Sequence, residues 1–292
     1  MGMGSTASHV QEPTGIATAV DRPWERDWVA FSVSAAGRTD CGQRRTDNQD
    51  SILCEVTPDG SMGLFAVADG MGGQNAGEVA SALTVSTLHE YLMPLLSETP
   101  PDGQSWPDHS GAASIRDLPL HEQVITAISG CNDRINLYGS LHDEAKGLGS
   151  TLNLVLMKGS LIVIGNVGDS RTYRVRGGTI ERLTHDHSLV AHLIALGQIP
   201  QDEQYTHPQR SYIYRALGAD TDIQPDIFTE RVQSGDALVL CSDGLWEMVR
   251  DDDIQRVISE ESLAEDAAKR LVDLANANGG EDNISVIVVK VH

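Results

Sequence analysis

The chain has 292 residues, of which 40% are hydrophobic and 22% are charged, a composition typical of a soluble globular protein. Its 42 acidic and 21 basic side chains give a net charge of −21, which repels nucleic acid and anionic membranes. No apolar run approaches the roughly 18 residues of a membrane span. The four cysteines are scattered, as expected of free thiols in a reducing compartment. We therefore expect a cytoplasmic protein that binds neither nucleic acid nor membrane.

Short apolar runs alternate with helical patterns along most of the chain. Residues 1–26 mix Gly, Ser, Thr and Pro with little periodicity, which predicts a flexible N-terminal tail. Runs bounded by turn residues begin near residue 28, and the clearest predict strands at 51–56, 63–68, 151–157, 160–166, 171–176, 225–232, 236–241 and 284–291. Helices are predicted at 77–97, 119–139, 187–197 and 261–277.

The connections between these elements indicate how they assemble. A stretch rich in Pro, Ser, Gly and Asp at 98–118 predicts an exposed loop between two helices. Glycines at tight connections, as in "KGSLIVIG" and "RVRGGTIERL", predict hairpins and a largely antiparallel sheet. We therefore predict a single α+β domain over residues 27–292, with helices packed on the faces of the sheet.

Five aspartates lie next to predicted strands. Three follow apolar strands directly and two precede them: Asp69, Asp169 and Asp243, then Asp50 and Asp282. In an antiparallel sheet the end of one strand lies beside the start of its neighbour. The five carboxylates can therefore converge on one rim of the sheet.

Each aspartate alone is also typical of a turn, because Asp and Gly form local hydrogen bonds there. Five with the same relation to strands favour a shared role. Carboxylates so close together would repel one another and raise their pKa values unless cations lay between them. Oxygen ligands without His or Cys favour magnesium or manganese over zinc. The sequence thus predicts a multi-metal site, in which Gly70 lets the backbone fold back so that its carbonyl joins Asp69 at a metal.

Other candidate sites fit the sequence less well. The stretch "GMGGQNAG" lacks the G-x-G-x-x-G spacing of a dinucleotide loop. Three histidines lie close together, at His185, His187 and His192. We expect them on different faces of a helix that opens with Asp186 or Ser188 as a cap, which argues against a metal role. No cysteine is followed six positions later by arginine, so a cysteine-dependent phosphatase is excluded.

Eight motifs follow one another along about residues 30–291: "TDCGQRRTDNQDS", "VADGMGGQNAGEVAS", "GLGSTL", "NVGDSRTYRVRGG", "LTHDHSLV", "HPQRSYIYRALG", "LVLCSDGLWEMV" and "GGEDNISVIVV". Together they resemble the metal-dependent serine/threonine protein phosphatases of type 2C, in their compact bacterial form. The resemblance implies an α+β fold in which a central antiparallel β-sandwich is flanked on both faces by helices.

The resemblance also implies which residues hold two core Mn²⁺ or Mg²⁺ ions. Asp69 should bridge the two ions. The Gly70 carbonyl should complete the first site, and Asp243 and Asp282 should hold the second. Asp50 is expected to act near the site through water.

Further residues are implied around this core. Asp169, with Asp243, matches a pair that binds a third and weaker metal in bacterial relatives. Arg45 matches the position that grips the substrate phosphate, and its planar fork of donors suits a phosphate. The chain has Gln49 where many relatives have an acidic residue, and Met71 where animal members have a histidine proposed as the general acid. The general acid is therefore not assigned.

The implied function is hydrolysis of phosphoserine and phosphothreonine in proteins. A hydroxide bridging the two metals would attack phosphorus in line, without a phosphoenzyme intermediate. The expected partners are phosphorylated proteins, including a cognate kinase or its targets, and we expect a monomer. The alternative is a catalytically weak or inactive member of the same fold that acts as a partner-binding or sensing module.

Overall fold

Two antiparallel sheets form the centre of the structure, a computed structural model that describes residues 32–73, 76–96, 115 and 118–292. The first sheet has the order β1–β11–β10–β7–β8. Its strands are β1 (Val33–Asp40), β7 (Arg171–Arg176), β8 (Thr179–Arg182), β10 (Ala237–Cys241) and β11 (Ile284–Val291). The second has the order β2–β3–β5–β6–β9. Its strands are β2 (Asp50–Val56), β3 (Met62–Met71), β5 (Leu152–Lys158), β6 (Leu161–Val167) and β9 (Asp226–Arg231), and the short β4 (Gly149–Ser150) pairs with β3.

The two sheets pack face to face, and helices cover both outer faces. Side chains from both sheets, among them Phe65, Val155 and Leu240, form the core between them. The helices α1 (Ala76–Leu96) and α2 (Leu120–Leu141) share a core with the second sheet. The helices α4 (Asp243–Trp246), α5 (Asp251–Glu260) and α6 (Ala264–Ala277) share another core with the first. The predicted α+β fold, with a β-sandwich between layers of helices, is confirmed.

Burial on both faces explains why the central strands read as continuous apolar runs. In β3, Phe65 and Val67 face the inter-sheet core, while Leu64 and Ala66 face the helices. Alternation between apolar and polar residues is expected only where one face meets water. It is therefore absent from β3, whereas the edge strand β9, whose residues are half-buried or exposed, is largely polar.

Most predicted elements occur within a few residues of their predicted bounds. Two elements in the structure are missing from the clearest predicted elements. One is β1, whose Ser-, Ala- and Gly-rich sequence gives a weak strand signal, and the other is α5, a separate helix that precedes α6. The helix α3 (Leu189–Ala195) begins after Ser188, whose hydroxyl accepts a hydrogen bond from the Ala191 N–H (3.3 Å). Asp186 is not a cap, since its carboxylate pairs with buried Arg171 (2.6 Å).

Some predictions fall outside the described residues. The predicted tail at 1–26 lies wholly outside them, as does the predicted loop at 98–118 except for residues 115 and 118. Within the described ranges, every helix is too short or too polar to cross a bilayer.

Candidate active site

The sheet topology brings the five aspartates to the seam between the two sheets. Asp50 and Asp69 are directly opposite each other in the β2–β3 register. Asp243 follows β10, and Asp282 lies two residues before β11, the strand that pairs with β10. Asp169 lies in the three-residue connection from β6 in one sheet to β7 in the other. The convergence expected from the sequence is therefore present in the structure.

A cavity of about 270 Å³ opens at this seam. Its lining includes every predicted site residue except Asp50: Arg45, Asp69, Gly70, Asp169, Asp243 and Asp282. Asp50 is not among the lining residues and is only 7% exposed, and its role through water stays a prediction. The Ser242 hydroxyl donates a hydrogen bond to Asp50 Oδ2 (2.9 Å) and anchors it.

Two buried carboxylate oxygens beside the cavity lack partners within the part of the chain that the structure describes. They are Oδ1 of Asp50 and Oδ1 of Asp243. A buried acceptor without a hydrogen bond costs about 1–3 kcal/mol, and more when it is charged. Such oxygens are explained when a cation or ordered water satisfies them. The donor set therefore fits a hard divalent cation.

The charges at the seam are mutually destabilising in the protein alone. Burial raises the pKa of Asp50 to about 6 and that of Asp169 to about 7. Burial, followed by repulsion from neighbouring carboxylates, holds the pKa values of Asp69 and Asp243 well above their usual range. A nearby cation would favour the ionised forms, so these shifts also fit a metal site.

The carboxylates line the cavity walls and do not close around one point. Among the described residues, no three His, Cys, Asp or Glu side chains are arranged to hold an ion by themselves. Magnesium-type cations commonly keep several water ligands and take only one or two carboxylates. A cavity of about 270 Å³ between carboxylates leaves room for such water ligands.

Gly70, which lines the cavity, is in close backbone contact with Gly77 on α1. A Cβ on Gly70 would come within 1.9 Å of the Gly77 carbonyl oxygen, and a Cβ on Gly77 within 2.6 Å of the Gly70 carbonyl oxygen. The Gly70 N–H donates to the Gln49 carbonyl (3.1 Å). Both positions therefore require glycine, and the sequence analysis identified only Gly70. Gly77 is the helical partner that fixes the Gly70 peptide.

Arg45 lies on the connection from β1 to β2, which also crosses between the sheets. Its Nη2 contacts Asp282 Oδ2 at 2.7 Å, and both side chains are more than a third exposed. The guanidinium thus lies at the cavity mouth and is paired with one of the predicted metal ligands. This position agrees with the predicted phosphate contact, and the pairing with Asp282 was not foreseen.

Asn283 holds the loop that carries Arg45, and the sequence analysis missed it. Its Nδ2 donates to the Cys41 carbonyl (3.1 Å) and the Asp47 carbonyl (2.9 Å), while its Oδ1 accepts from the Gln49 N–H (2.9 Å). The side chain is 6% exposed. In the sequence, the only indication of a role for Asn283 was its position directly after Asp282, a predicted metal ligand.

Met71, at the position where animal members of the family have a histidine proposed as the general acid, lines the cavity. Of the described residues that line it, none is a histidine. His185 and His187 precede α3 and only His192 lies on it, so the expectation that all three lie on one helix was wrong, and none of the three lines this cavity. The roles of the gathered residues as metal ligands and phosphate contacts stay predictions at this point.

Comparisons with known proteins agree with this geometry. A family model described as protein phosphatase 2C matches residues 39–281. A serine/threonine phosphatase from Listeria monocytogenes is 33% identical over 258 residues, which cover 88% of this chain and 96% of the relative. The solved structure of serine/threonine phosphatase Stp1 from Staphylococcus aureus has a TM-score of 0.77 and 32% identity, covering 91% of this chain and 98% of that one.

Another solved structure is the catalytic domain of the phosphatase PstP in complex with two manganese ions. It has a TM-score of 0.73 and 30% identity, and the match covers 89% of this chain and 99% of that one. Family model, sequence relatives and structures therefore agree. The chain belongs to the protein phosphatase 2C family and is a metal-dependent serine/threonine protein phosphatase.

Proposed function

We propose that the cavity at the sheet seam is the catalytic site, where phosphoserine and phosphothreonine esters of proteins are hydrolysed by water without a phosphoenzyme intermediate. The observation that carries the proposal is that four aspartates line one cavity with Asp50 paired to one of them in the sheet, while a buried oxygen on each of Asp50 and Asp243 is unpaired among the described residues. When bound, a pair of divalent cations, Mn²⁺ or Mg²⁺, lowers the pKa of water and offsets phosphoryl charge.

Four residues would hold the two core ions. Asp69, which lines the cavity and is paired with Asp50 across β2 and β3, would bridge both ions. The Gly70 carbonyl would complete one site, and Asp243 with Asp282 the other. Asp50, buried and held by Ser242, would act through water. Asp169, together with Asp243, would hold a third and weaker ion.

Arg45 would bind the substrate phosphate at the cavity mouth. Its guanidinium is more than half exposed and is already held by Asp282, so it is oriented without being shielded from a ligand. A planar fork of N–H donors matches two phosphate oxygens at once. In a chain with a net charge of −21, this arginine also supplies local positive charge for an anionic substrate.

Substitution at the seam tests the proposal. Asp69→Ala removes the bridging carboxylate, and we expect turnover of p-nitrophenyl phosphate and of a phosphothreonine peptide to be abolished at any manganese concentration. Asp252→Ala, an exposed acid on α5, is the matched control and should behave as the parent. Retention of most of the parent rate by Asp69→Ala would contradict the assignment.

The third ion is tested separately through Asp169→Ala. We expect this variant to need a higher manganese concentration for the same rate, because only the weaker site is affected. An unchanged manganese dependence would contradict the proposed role of Asp169.

A partner-binding or sensing module without turnover is the alternative function. Manganese with and without a chelator distinguishes the two, since the phosphatase should lose activity reversibly on chelation. A preparation that binds metal but does not turn over substrate would favour the module.

We also propose that residues 27–292 form one phosphatase domain that works as a monomer in the cytoplasm. Its substrates would be phosphorylated proteins that include a cognate kinase or the targets of that kinase. Light scattering of the purified chain tests the monomer, because a mass near twice 31.4 kDa would contradict it.

A further inference from the structure

His187 is a buried histidine next to the connection that carries Asp169. It is 2% exposed and lies between β8 and α3, outside the cavity lining. The Gly168 N–H donates to its ring Nδ1 (3.1 Å). Its own backbone N–H donates to the Gly168 carbonyl (2.9 Å). One residue thus holds both polar groups of the residue before Asp169.

Gly168 has a backbone that needs such support. Its φ is +100°, and an added Cβ would come within 2.7 Å of the Thr151 side chain, so no other residue suits this position. Glycine has the widest conformational freedom of any residue. The direction of the Asp169 carboxylate therefore depends on the hydrogen bonds made by the Gly168 N–H and C=O groups.

Both ring nitrogens of His187 have polar neighbours. Nδ1 faces the Gly168 N–H and must accept a hydrogen bond from it. Nε2 lies 3.2 Å from Oδ2 of Asp226 on β9 and 2.9 Å from Arg215 Nη1. Arg215 Nη1 also donates to Oδ1 of Asp226 (2.9 Å). Burial lowers the pKa of His187, in keeping with a neutral ring.

The backbone around His187 also reaches the opposite wall of the cavity. The Tyr214 N–H donates to the His187 carbonyl (2.9 Å), and Ser188 forms a β-bridge with Ile213. Ile213 and Ser211 line the cavity together with Asp169. His187 therefore joins two parts of the cavity wall.

We propose that His187, whose Nδ1 accepts from the Gly168 N–H, is a positioning residue that directs the Asp169 carboxylate into the cavity through the Gly168 peptide. The inference rests on the proposed role of Asp169 in holding the weakest of the bound cations. It assigns a role to a buried side chain that lies outside the cavity lining.

Two substitutions separate the two ring nitrogens. In His187→Asn the amide oxygen lies about where Nδ1 was and can accept from the Gly168 N–H. In His187→Gln the longer side chain reaches toward the Nε2 position and leaves the Gly168 N–H unpaired. Mn²⁺ binding, measured from the loss of the free-ion electron paramagnetic resonance signal, reports on the site independently of activity.

We expect His187→Gln to weaken the weakest Mn²⁺-binding step about tenfold, as loss of a buried hydrogen bond does. His187→Asn should stay within about twofold of the parent, because it restores the acceptor. The double variant Asp169→Ala with His187→Gln should bind Mn²⁺ no more weakly than Asp169→Ala alone. Equal losses in the Asn and Gln variants, or additive losses in the double variant, would overturn the proposal.

If the His187 variants fold poorly, a variant at the neighbouring residue Asp226 tests the same proposal. Asp226 is on an edge strand and 35% exposed, so Asp226→Ala should fold, and it removes the carboxylate beside Nε2. We expect a smaller weakening of the same Mn²⁺ step, about threefold, and no change would overturn the role of the pair. If Asp169→Ala itself leaves all Mn²⁺ binding unchanged, the proposed third ion fails and this inference falls with it. If Asp169→Ala weakens binding and His187→Gln does not, only this inference fails.

Discussion

Replacing Asn283 by alanine should loosen the loop that carries Arg45 without removing any residue that we place at the metals or the phosphate. Asn283→Ala deletes three hydrogen bonds and leaves the Cys41 and Asp47 carbonyls and the Gln49 N–H without this partner. The side chain is 6% exposed, so water does not readily replace it.

The size of the effect follows from those three bonds. A protein hydrogen bond contributes about 1 kcal/mol net to stability, so the variant should lose roughly 3 kcal/mol of unfolding free energy. Because ~1.4 kcal/mol corresponds to a factor of ten, part of this loss is enough to depopulate the ordered loop. Arg45 would then be misplaced in much of the population. We expect KM for a phosphothreonine peptide to rise about tenfold, with a smaller fall in kcat.

The assay combines steady-state kinetics at saturating manganese with denaturant unfolding of the metal-free protein. Asn136→Ala is the control, since this half-buried asparagine on α2 donates one hydrogen bond to the Asp220 carbonyl (3.0 Å) far from the cavity. It should lose about 1 kcal/mol and leave KM unchanged. An Asn283→Ala variant with parental KM and stability would refute the role of this side chain in holding the loop.

Three further predictions test other contacts. Asp186→Asn should cost about 3–5 kcal/mol of unfolding free energy in denaturant titrations, because it leaves the guanidinium of Arg171, 1% exposed, without its carboxylate. Gly77→Ala should lower both the melting temperature and the activity, because the added Cβ would lie 2.6 Å from the Gly70 carbonyl oxygen, although alanine favours helices. Gly73→Ala is the control: there is open space around Gly73, so this variant should keep the parental melting temperature and activity. Burial raises the pKa of Asp50 from 3.8 to about 6 in the folded protein. As pH rises through this range, the unfolded chain loses the Asp50 proton before the folded protein does. Ionisation of Asp50 therefore makes the metal-free protein less stable over this pH range. Melts in chelator at pH 5 and pH 7 should show that loss, and saturating manganese should abolish it; equal stability in chelator at both pH values would contradict it.

The sequence could predict the strands, the layers and the acids because these depend on local patterns. A run such as β3, apolar at successive positions, can satisfy both its faces only inside a layered fold. Asp69 and Asp243 each follow a strand, and antiparallel pairing brings strand ends to the starts of their neighbours. The edge strand β1 was not among the clearest predicted strands, because half-exposed serine, alanine and glycine carry little periodic signal.

The supporting residues could not be predicted in the same way, because their roles depend on contacts between distant parts of the chain. Asn283 acts on a loop more than 230 positions away. Gly77 looks like an ordinary residue of the first helical turn until the Gly70 carbonyl is seen against it. His187 was considered only as a metal ligand, whereas its ring faces a backbone N–H and a carboxylate. Motif spacing can identify the residues that react or bind, whereas the residues that hold them in place become visible only in the folded structure.

The position of the site at the seam has an energetic consequence for the whole sandwich. Asp50 and Asp69 belong to one sheet, Asp243 and Asp282 flank strands β10 and β11 of the other, and Asp169 belongs to a connection between them. Without cations, carboxylates from both sheets repel one another where the sheets meet, and burial adds to the cost. A ligand that binds only the folded state stabilises it by RT ln(1 + [L]/Kd). Divalent cations would therefore activate water and also hold the two sheets together at the point where the substrate binds, so catalytic geometry and stability depend on the same ions.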